Sequence, residues 1–281
     1  MRALCRLAGL TGGMVAALVV LGATAQAQGK LDARYVAKLS GIPIGKGAWV
    51  VEINEDQFVA AATGGTSGLL RAVASGEGRS SSRGKVANGQ LIPASFASTI
   101  ISGKKTDQVR IGLVSGAVKE VALDPEPPPN PDRVPLTEAN RRGVSDPMTG
   151  SLVRVPGNGD PVSAEACRNS VAVFDGQMRY DIKLEFRRIE NVKAEKGYQG
   201  PAVVCGLYFS PIAGHVPERA AIKYLVNQRK IEVWLAPIAG TRMLAPFRVS
   251  VPTPLGVGTL EATQFMTSAL PRLSPASVRA Q

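Results

Sequence analysis

The sequence predicts an all-β protein: a large, mostly antiparallel curved sheet that closes as an incomplete barrel or β-spiral, with one or two short helices. Three observations predict it. Short segments alternate apolar and polar residues with a period of two, as strands with one buried face do. Turn dipeptides bound them, Asn88-Gly89, Ser115-Gly116 and Asp175-Gly176 among them, supplying the positive φ that tight hairpins need. Helical periodicity is confined to brief runs. At 281 residues, with 44% hydrophobic and 20% charged residues, the chain is long and apolar enough to bury a sizeable core.

Residues 1–27 read as a cleavable secretory signal. Arg2 and Arg6 form a positive start, Met14 to Leu21 an apolar run, and Ala25-Gln26-Ala27 places small residues before a cut ahead of Gln28. A cut after Ala23-Thr24-Ala25 is the alternative. The apolar run is too short to span a bilayer of about 30 Å, and Cys5 precedes it rather than following it, so no lipoprotein site is present. The expected product is an exported protein, soluble after cleavage, with no transmembrane anchor.

Residues 28–270 are expected to form a single β domain. Strands are predicted at Asp32 to Leu39, Gly47 to Ile53, Gln57 to Ala62, Leu91 to Ile101, Gln108 to Val114 and Ala117 to Leu123. A short helix is expected over Thr66 to Ala74, where Leu69, Leu70 and Val73 share a face. The stretch DPEPPPNPD, Asp124 to Asp132, lacks the amide hydrogens a ladder needs and reads as a surface loop near 124–135. Thr137 is expected to cap a brief helix through Arg142, with Gly143 ending it. Further strands are predicted at Val171 to Phe174, Gln177 to Arg187, Ala202 to Phe209, Lys230 to Leu235, Thr241 to Val251 and Gly258 to Phe265. Glu218 to Val226 (ERAAIKYLV) suits a strand or a short helix, and its alternation favours strand. The tail, residues 271–281, is too poor in apolar residues to dock and is expected to be disordered.

Removing Cys5 with the signal leaves Cys167 and Cys205 in an oxidising compartment, where they are expected to pair. Closing that loop stabilises a fold by about 4 kcal/mol on the chain-entropy model. Two buried free thiols are the alternative; a redox-active pair lacks the C-x-x-C spacing.

The formal charge is +11, and loss of Arg2 and Arg6 leaves 31 basic against 22 acidic residues. That balance fits attraction to anionic lipid headgroups, phosphorylated glycans or nucleic acid. A concave strand face lined by Leu, Ile and Val could also hold apolar cargo, so the expected partner is a hydrophobic or anionic envelope component. Nucleic acid is disfavoured, because only 5% of residues are aromatic and no Lys/Arg block interleaves with them.

No catalytic, cofactor or metal site emerges from the residues. His215, the sole histidine, lies in PIAGHVP and reads as a loop residue, and no serine occupies a G-x-S-x-G elbow. One histidine and two paired cysteines fall short of a zinc or copper set. A carboxylate calcium site near Asp124 to Asp132 lacks the required spacing. Gly45/Gly47, Gly157/Gly159 and Gly256/Gly258 do not complete G-x-G-x-x-G and read as turn or bulge glycines. Asp175 is expected to make a hairpin turn, with Arg179 and Asp181 pairing across a solvated strand face; a bound polar headgroup meeting the three is the alternative. Two function classes follow: a non-catalytic carrier or scaffold for lipid, lipoprotein or cell-wall material, or an envelope hydrolase using carboxylates such as Asp146 or Glu261.

Several motifs of the second half together resemble the family called domain of unknown function 3108. They are Arg133-Val134-Pro135, Asp146-Pro147-Met148-Thr149-Gly150, Val173-Phe174-Asp175-Gly176, Arg179-Tyr180-Asp181, Gly197-Tyr198 with Gly200-Pro201, the Tyr208 to Gly214 run, Trp234 to Ile238, Pro246, and Thr253 to Gly256. Tyr35 and the Gly41 to Gly45 run extend the similarity, which covers most of residues 31 to 266. The resemblance implies an exported domain of many antiparallel strands in a Gram-negative envelope, which makes the expected address of the cleaved chain periplasmic. It carries no catalytic residues.

Overall fold

A computed structural model describes residues 28–67 and 75–271. The signal segment, most of the Thr66 to Ala74 helix and all but the first residue of the tail lie outside the described residues. The first half is a seven-strand meander: β1 (Gly29–Leu39), β2 (Ile42–Ile53), β3 (Gln57–Thr66), β4 (Gly76–Ala87), β5 (Gln90–Ser102), β6 (Lys105–Val114) and β7 (Ala117–Asp124). The connection holds a 3₁₀ turn (Glu138–Arg141), the single helical turn α1 (Pro147–Gly150), the two-residue β8 (Val153–Arg154) and a second 3₁₀ turn (Ala164–Cys167). Then come β9 (Ser170–Phe174), β10 (Arg179–Lys193), β11 (Lys196–Gly197), β12 (Gln199–Ala213), α2 (Ala220–Asn227), β13 (Glu232–Pro237), β14 (Met243–Thr253) and β15 (Gly256–Ala269).

All fifteen strands belong to one sheet, whose main path runs β7-β6-β5-β4-β3-β2-β1-β15-β14-β13-β12-β10-β9. The two halves are spliced by β1 against β15, in register from Gly29↔Ala269 to Leu39↔Gly258 with one shift at Arg34/Tyr35. β7 and β9, the end strands, do not pair with each other. Residues 143–146 lie across the gap. Val144 N donates to Gly116 O at 3.0 Å, Ser145 N to Ala172 O at 2.8 Å, and Phe174 N to Ser145 O at 2.9 Å. The β9–β10 turn also rests on β6 and β7: a Cβ on Gly176 would stand 2.6 Å from Val109 Cγ1. The result is the incomplete, curved, mostly antiparallel barrel that the alternation predicts.

Glu218 to Val226 is a correction: the segment forms α2, not a strand. β12 and β13 pair directly, from Val203↔Leu235 to Gly206↔Glu232, so no ladder is open to a strand between them. Its backbone polar groups are satisfied internally instead, with Ile222 buried. Alternation also misses β4, GEGRSSSRGKVA, because its two faces differ in size and charge rather than in polarity. Gly76, Gly78, Ser80 and Ser82 share one face, and Glu77, Arg79, Ser81 and Arg83 are exposed on the other.

The two halves are packed differently. Along β1 to β6 only alternate residues reach the main core, including Leu31, Ala33, Tyr35, Trp49, Val51, Phe58, Phe96 and Ile111. β12, β13 and β14 are buried on both faces. Ala202, Val204, Trp234, Ala236 and Ala245 join the main core, where the bent-back end of the β10–β12 hairpin packs through Ala194 and Tyr198. Val203, Cys205, Val233, Leu235 and Leu244 join a second cluster with Val153, Val155, Val162, Ala166 and Cys167 of the connection. Cys167 and Cys205 are bonded there with Cα atoms 5.5 Å apart, inside the preferred range for a disulfide.

Candidate ligand-binding interior

The connection does not merely cross the barrel gap; it enters. Asp146 has no exposed surface and caps α1: Oδ1 accepts from Met148 N at 2.9 Å and Thr149 N at 3.0 Å. Oδ2 accepts from Thr149 Oγ1 at 2.6 Å and from Ser82 Oγ, on β4, at 2.8 Å. Four donors meet one buried carboxylate, the condition under which a buried charge is tolerated. The small inner face of β4 is what lets α1 approach, and Ser82 joins plug and wall by also contacting Thr149 Oγ1 at 2.9 Å.

Beside the plug lies an apolar chamber of about 560 Å³, lined by Tyr35, Trp49, Phe96, Met148, Val249 and Leu260, with Ala37, Ala62, Gly45 and Gly47 thinning its wall. Tyr35 is tied by donating its hydroxyl to Pro246 O at 2.7 Å, and burial raises its phenol pKa. Trp49 is buried with its indole Nε1 unpartnered. Gly45 flanks a register shift in the β1–β2 pairing, as a bulge glycine would, whereas Gly47 is regularly paired with Tyr35 and Gly64 and is neither a turn nor a bulge residue. A Cβ on them would stand 3.1 Å from Gly65 O and 2.9 Å from Thr63 O, respectively. Gly157 and Gly256 have positive φ, as turns require. A second cavity, about 600 Å³, lies on the other side of α1 against Val171, Ile182, Leu184, Leu207 and Val233, and shares Pro147, Ser151, Pro246 and Val249 with the first.

A third, more polar chamber of about 440 Å³ is roofed by α2 through Arg219 and Ile222. Arg133 Nη1 donates to Gly214 O at 3.0 Å and Nη2 to Gln177 Oε1 at 3.2 Å. Val134 and His215 pair through their backbones, Val134 N to His215 O at 2.9 Å. Asp175 makes the hairpin turn, Oδ1 accepting from Gln177 N at 2.8 Å and Met178 N at 2.7 Å, and burial raises its carboxyl pKa above the ordinary 3.8. Gly214, at φ +79°, has Gln177 O only 2.0 Å from where a Cβ would sit, so this corner requires glycine. Three motifs that are separate in sequence, Arg133-Val134-Pro135, Asp175-Gly176 and the run ending at Gly214, meet here.

His215 lies in a loop, as read from the sequence, but is buried there: it is 9% exposed, with Nδ1 unpartnered. Arg179 and Asp181 pair at 2.8 Å, but with Arg179 only 13% exposed the face is half-buried rather than solvated. Asp146 and Glu261 are not brought together. Asp146 is inside the plug, whereas Glu261 sits on β15 opposite Val36 and Arg248, so the converging carboxylates of a hydrolase are not formed by this pair. Among the described residues no three His, Cys, Asp or Glu side chains cluster to hold a metal, and no helix is long and apolar enough to cross a membrane. Sequence reasoning missed the chamber residues Trp49, Phe96 and Met148, since an apolar side chain on a concave wall reads like any core residue.

These elements define a class: a barrel-like antiparallel β domain, open along one seam and plugged by its own connection. The chain belongs to the family described as protein of unknown function (DUF3108), whose model matches residues 34–263. No curated protein matches the sequence. A solved β-barrel-like protein of domain of unknown function DUF1849, from Brucella abortus, is similar at 8% identity with a TM-score of 0.43, over 86% of this chain and 98% of that one.

Proposed function

We propose that this protein is a non-catalytic binder of an apolar or amphipathic component of a Gram-negative envelope, lipid, lipoprotein or cell-wall material, acting in the periplasm after export. The observation that carries the reading is the chamber of about 560 Å³ between Trp49, Phe96, Met148 and Leu260, because ligand sites are concave, mostly apolar and largely preformed. The signal features of residues 1–27 and the Cys167–Cys205 pair support the address.

Native mass spectrometry of protein purified from the periplasm tests it. The expected spectrum contains an adduct lost on organic extraction, and Ala62→Phe, which fills the chamber from β3, abolishes it. A clean apo mass, together with no uptake of a fatty-acyl fluorophore by the extracted protein, overturns the reading. N-terminal sequencing of the exported chain is expected to begin at Gln28; an uncleaved Met1 would remove the periplasmic assignment.

A further inference from the structure

The apolar and polar chambers adjoin, since Ser80, Phe96 and Pro147 line both. A ligand that is apolar throughout has no use for the second compartment, and a small polar one has none for the first. The polar compartment is also unevenly charged. Arg133 and Arg219 line it, with His215, against a single carboxylate, Asp175. Asp175 is turned to its own hairpin, where its Oδ1 accepts from Gln177 N and Met178 N. Two buried polar nitrogens at this site lack partners. His215 Nδ1 is unpartnered on a side chain more than nine-tenths buried, and Arg133 Nε is unpartnered although both its Nη atoms are engaged. Unsatisfied buried polar atoms are costly; a bound oxyanion accepts from Arg133 Nε and, in the Nδ1–H tautomer, from His215. Ile222, buried on α2, keeps the roof close to the cavity, while Arg219, the N-cap residue just before the helix, stays exposed.

We propose that the ligand is an anionic amphiphile carrying a phosphate-type headgroup, its acyl part between Trp49, Phe96 and Met148 and its headgroup under α2 between Arg133, His215 and Arg219. This rests on the interior-binding reading above and adds the ligand's charge and orientation to it. An oxyanion offers several acceptors to planar guanidinium donors, the pairing Arg makes best.

The full mature chain is titrated with three lysolipids of equal acyl length, lysophosphatidylglycerol, lysophosphatidylcholine and uncharged monoacylglycerol, and with glycerol phosphate alone. The expected order is lysophosphatidylglycerol at least tenfold tighter than monoacylglycerol, with glycerol phosphate unbound. Arg219→Gln, on the exposed end of α2, is expected to remove most of that preference and leave monoacylglycerol unchanged; Ala62→Phe is expected to abolish all three lysolipids. Equal affinity for the three lysolipids, or an Arg219→Gln variant with undiminished preference, overturns the headgroup site while leaving interior binding standing. Glycerol phosphate binding as tightly as the lysolipid overturns the amphiphile in favour of a small-anion site. Failure of every lysolipid to bind removes the interior-binding reading itself.

Discussion

The wall made by β2 to β5 and the wall made by β12 to β14 belong to one sheet, yet they are built on opposite rules. The first buries one face, carries small residues where the plug and the chamber press against it, and exposes Arg79, Arg83 and Val59 on the other. The second is apolar on both faces, covered on one by the connection that holds Cys167 and on the other by the bent-back β10–β12 hairpin. The difference separates two tasks. A wall sandwiched between two layers supplies stability, whereas a thin, glycine-rich wall supplies space, and a cavity costs the contacts that would otherwise fill it.

This contrast can be broken at its strongest point first. Replacing both Cys167 and Cys205 by Ala is expected to lower stability by about 4 kcal/mol, read by urea denaturation, because the crosslink closes a long loop. Hydrogen exchange should then show protection lost in β12 and β13 before β2 and β3; uniform loss would erase the division between the walls. Leu235→Ala, fully buried in the two-sided wall, is expected to cost about 3 kcal/mol, against less than about 0.5 kcal/mol for Val59→Ala on the exposed face of β3. Asp146→Ala tests the plug: loss of the cap and of the acceptor for the Ser82 and Thr149 hydroxyls is expected to cost about 2 to 3 kcal/mol in the same assay.

The smallest effect concerns pH. Asp175 has a folded-state pKa raised by burial, so the folded protein holds its proton more tightly than the unfolded chain does. Its contribution to stability is fully present below the ordinary value of 3.8 and is lost as pH rises through the folded-state value. Asp175→Asn keeps an acceptor for Gln177 N and Met178 N and cannot ionise, so it is expected to remove this falling arm from the stability–pH curve. An unchanged curve would place Asp175 in solvent.

Much of the architecture is legible in the sequence because most strands alternate apolar with polar residues and end at turn dipeptides, as Asp175-Gly176 and Asn88-Gly89 do. β4 is not legible because its partner is a buried polar plug rather than a hydrophobic layer, so the inward residues are Gly and Ser. α2 is not legible because ERAAIKYLV fits both periods, and the deciding fact, that β12 and β13 already pair, is tertiary. The same holds for the site. Arg133, Asp175 and Gly214 are visible as motif residues, but their convergence depends on a backbone pairing between Val134 and His215 that no local pattern announces. Asp146 looks like an acid available for chemistry until its four donors are counted.

The most direct test of the central claim, that the thin wall exists to make room for an envelope amphiphile, is a high-resolution crystal structure of protein isolated from the periplasm without organic extraction. The account predicts elongated density running from Trp49 and Met148, past Phe96, to a compact end beside Arg133 and Arg219. An interior without such density, with the Trp49 and Phe96 side chains collapsed into the chamber, would contradict it.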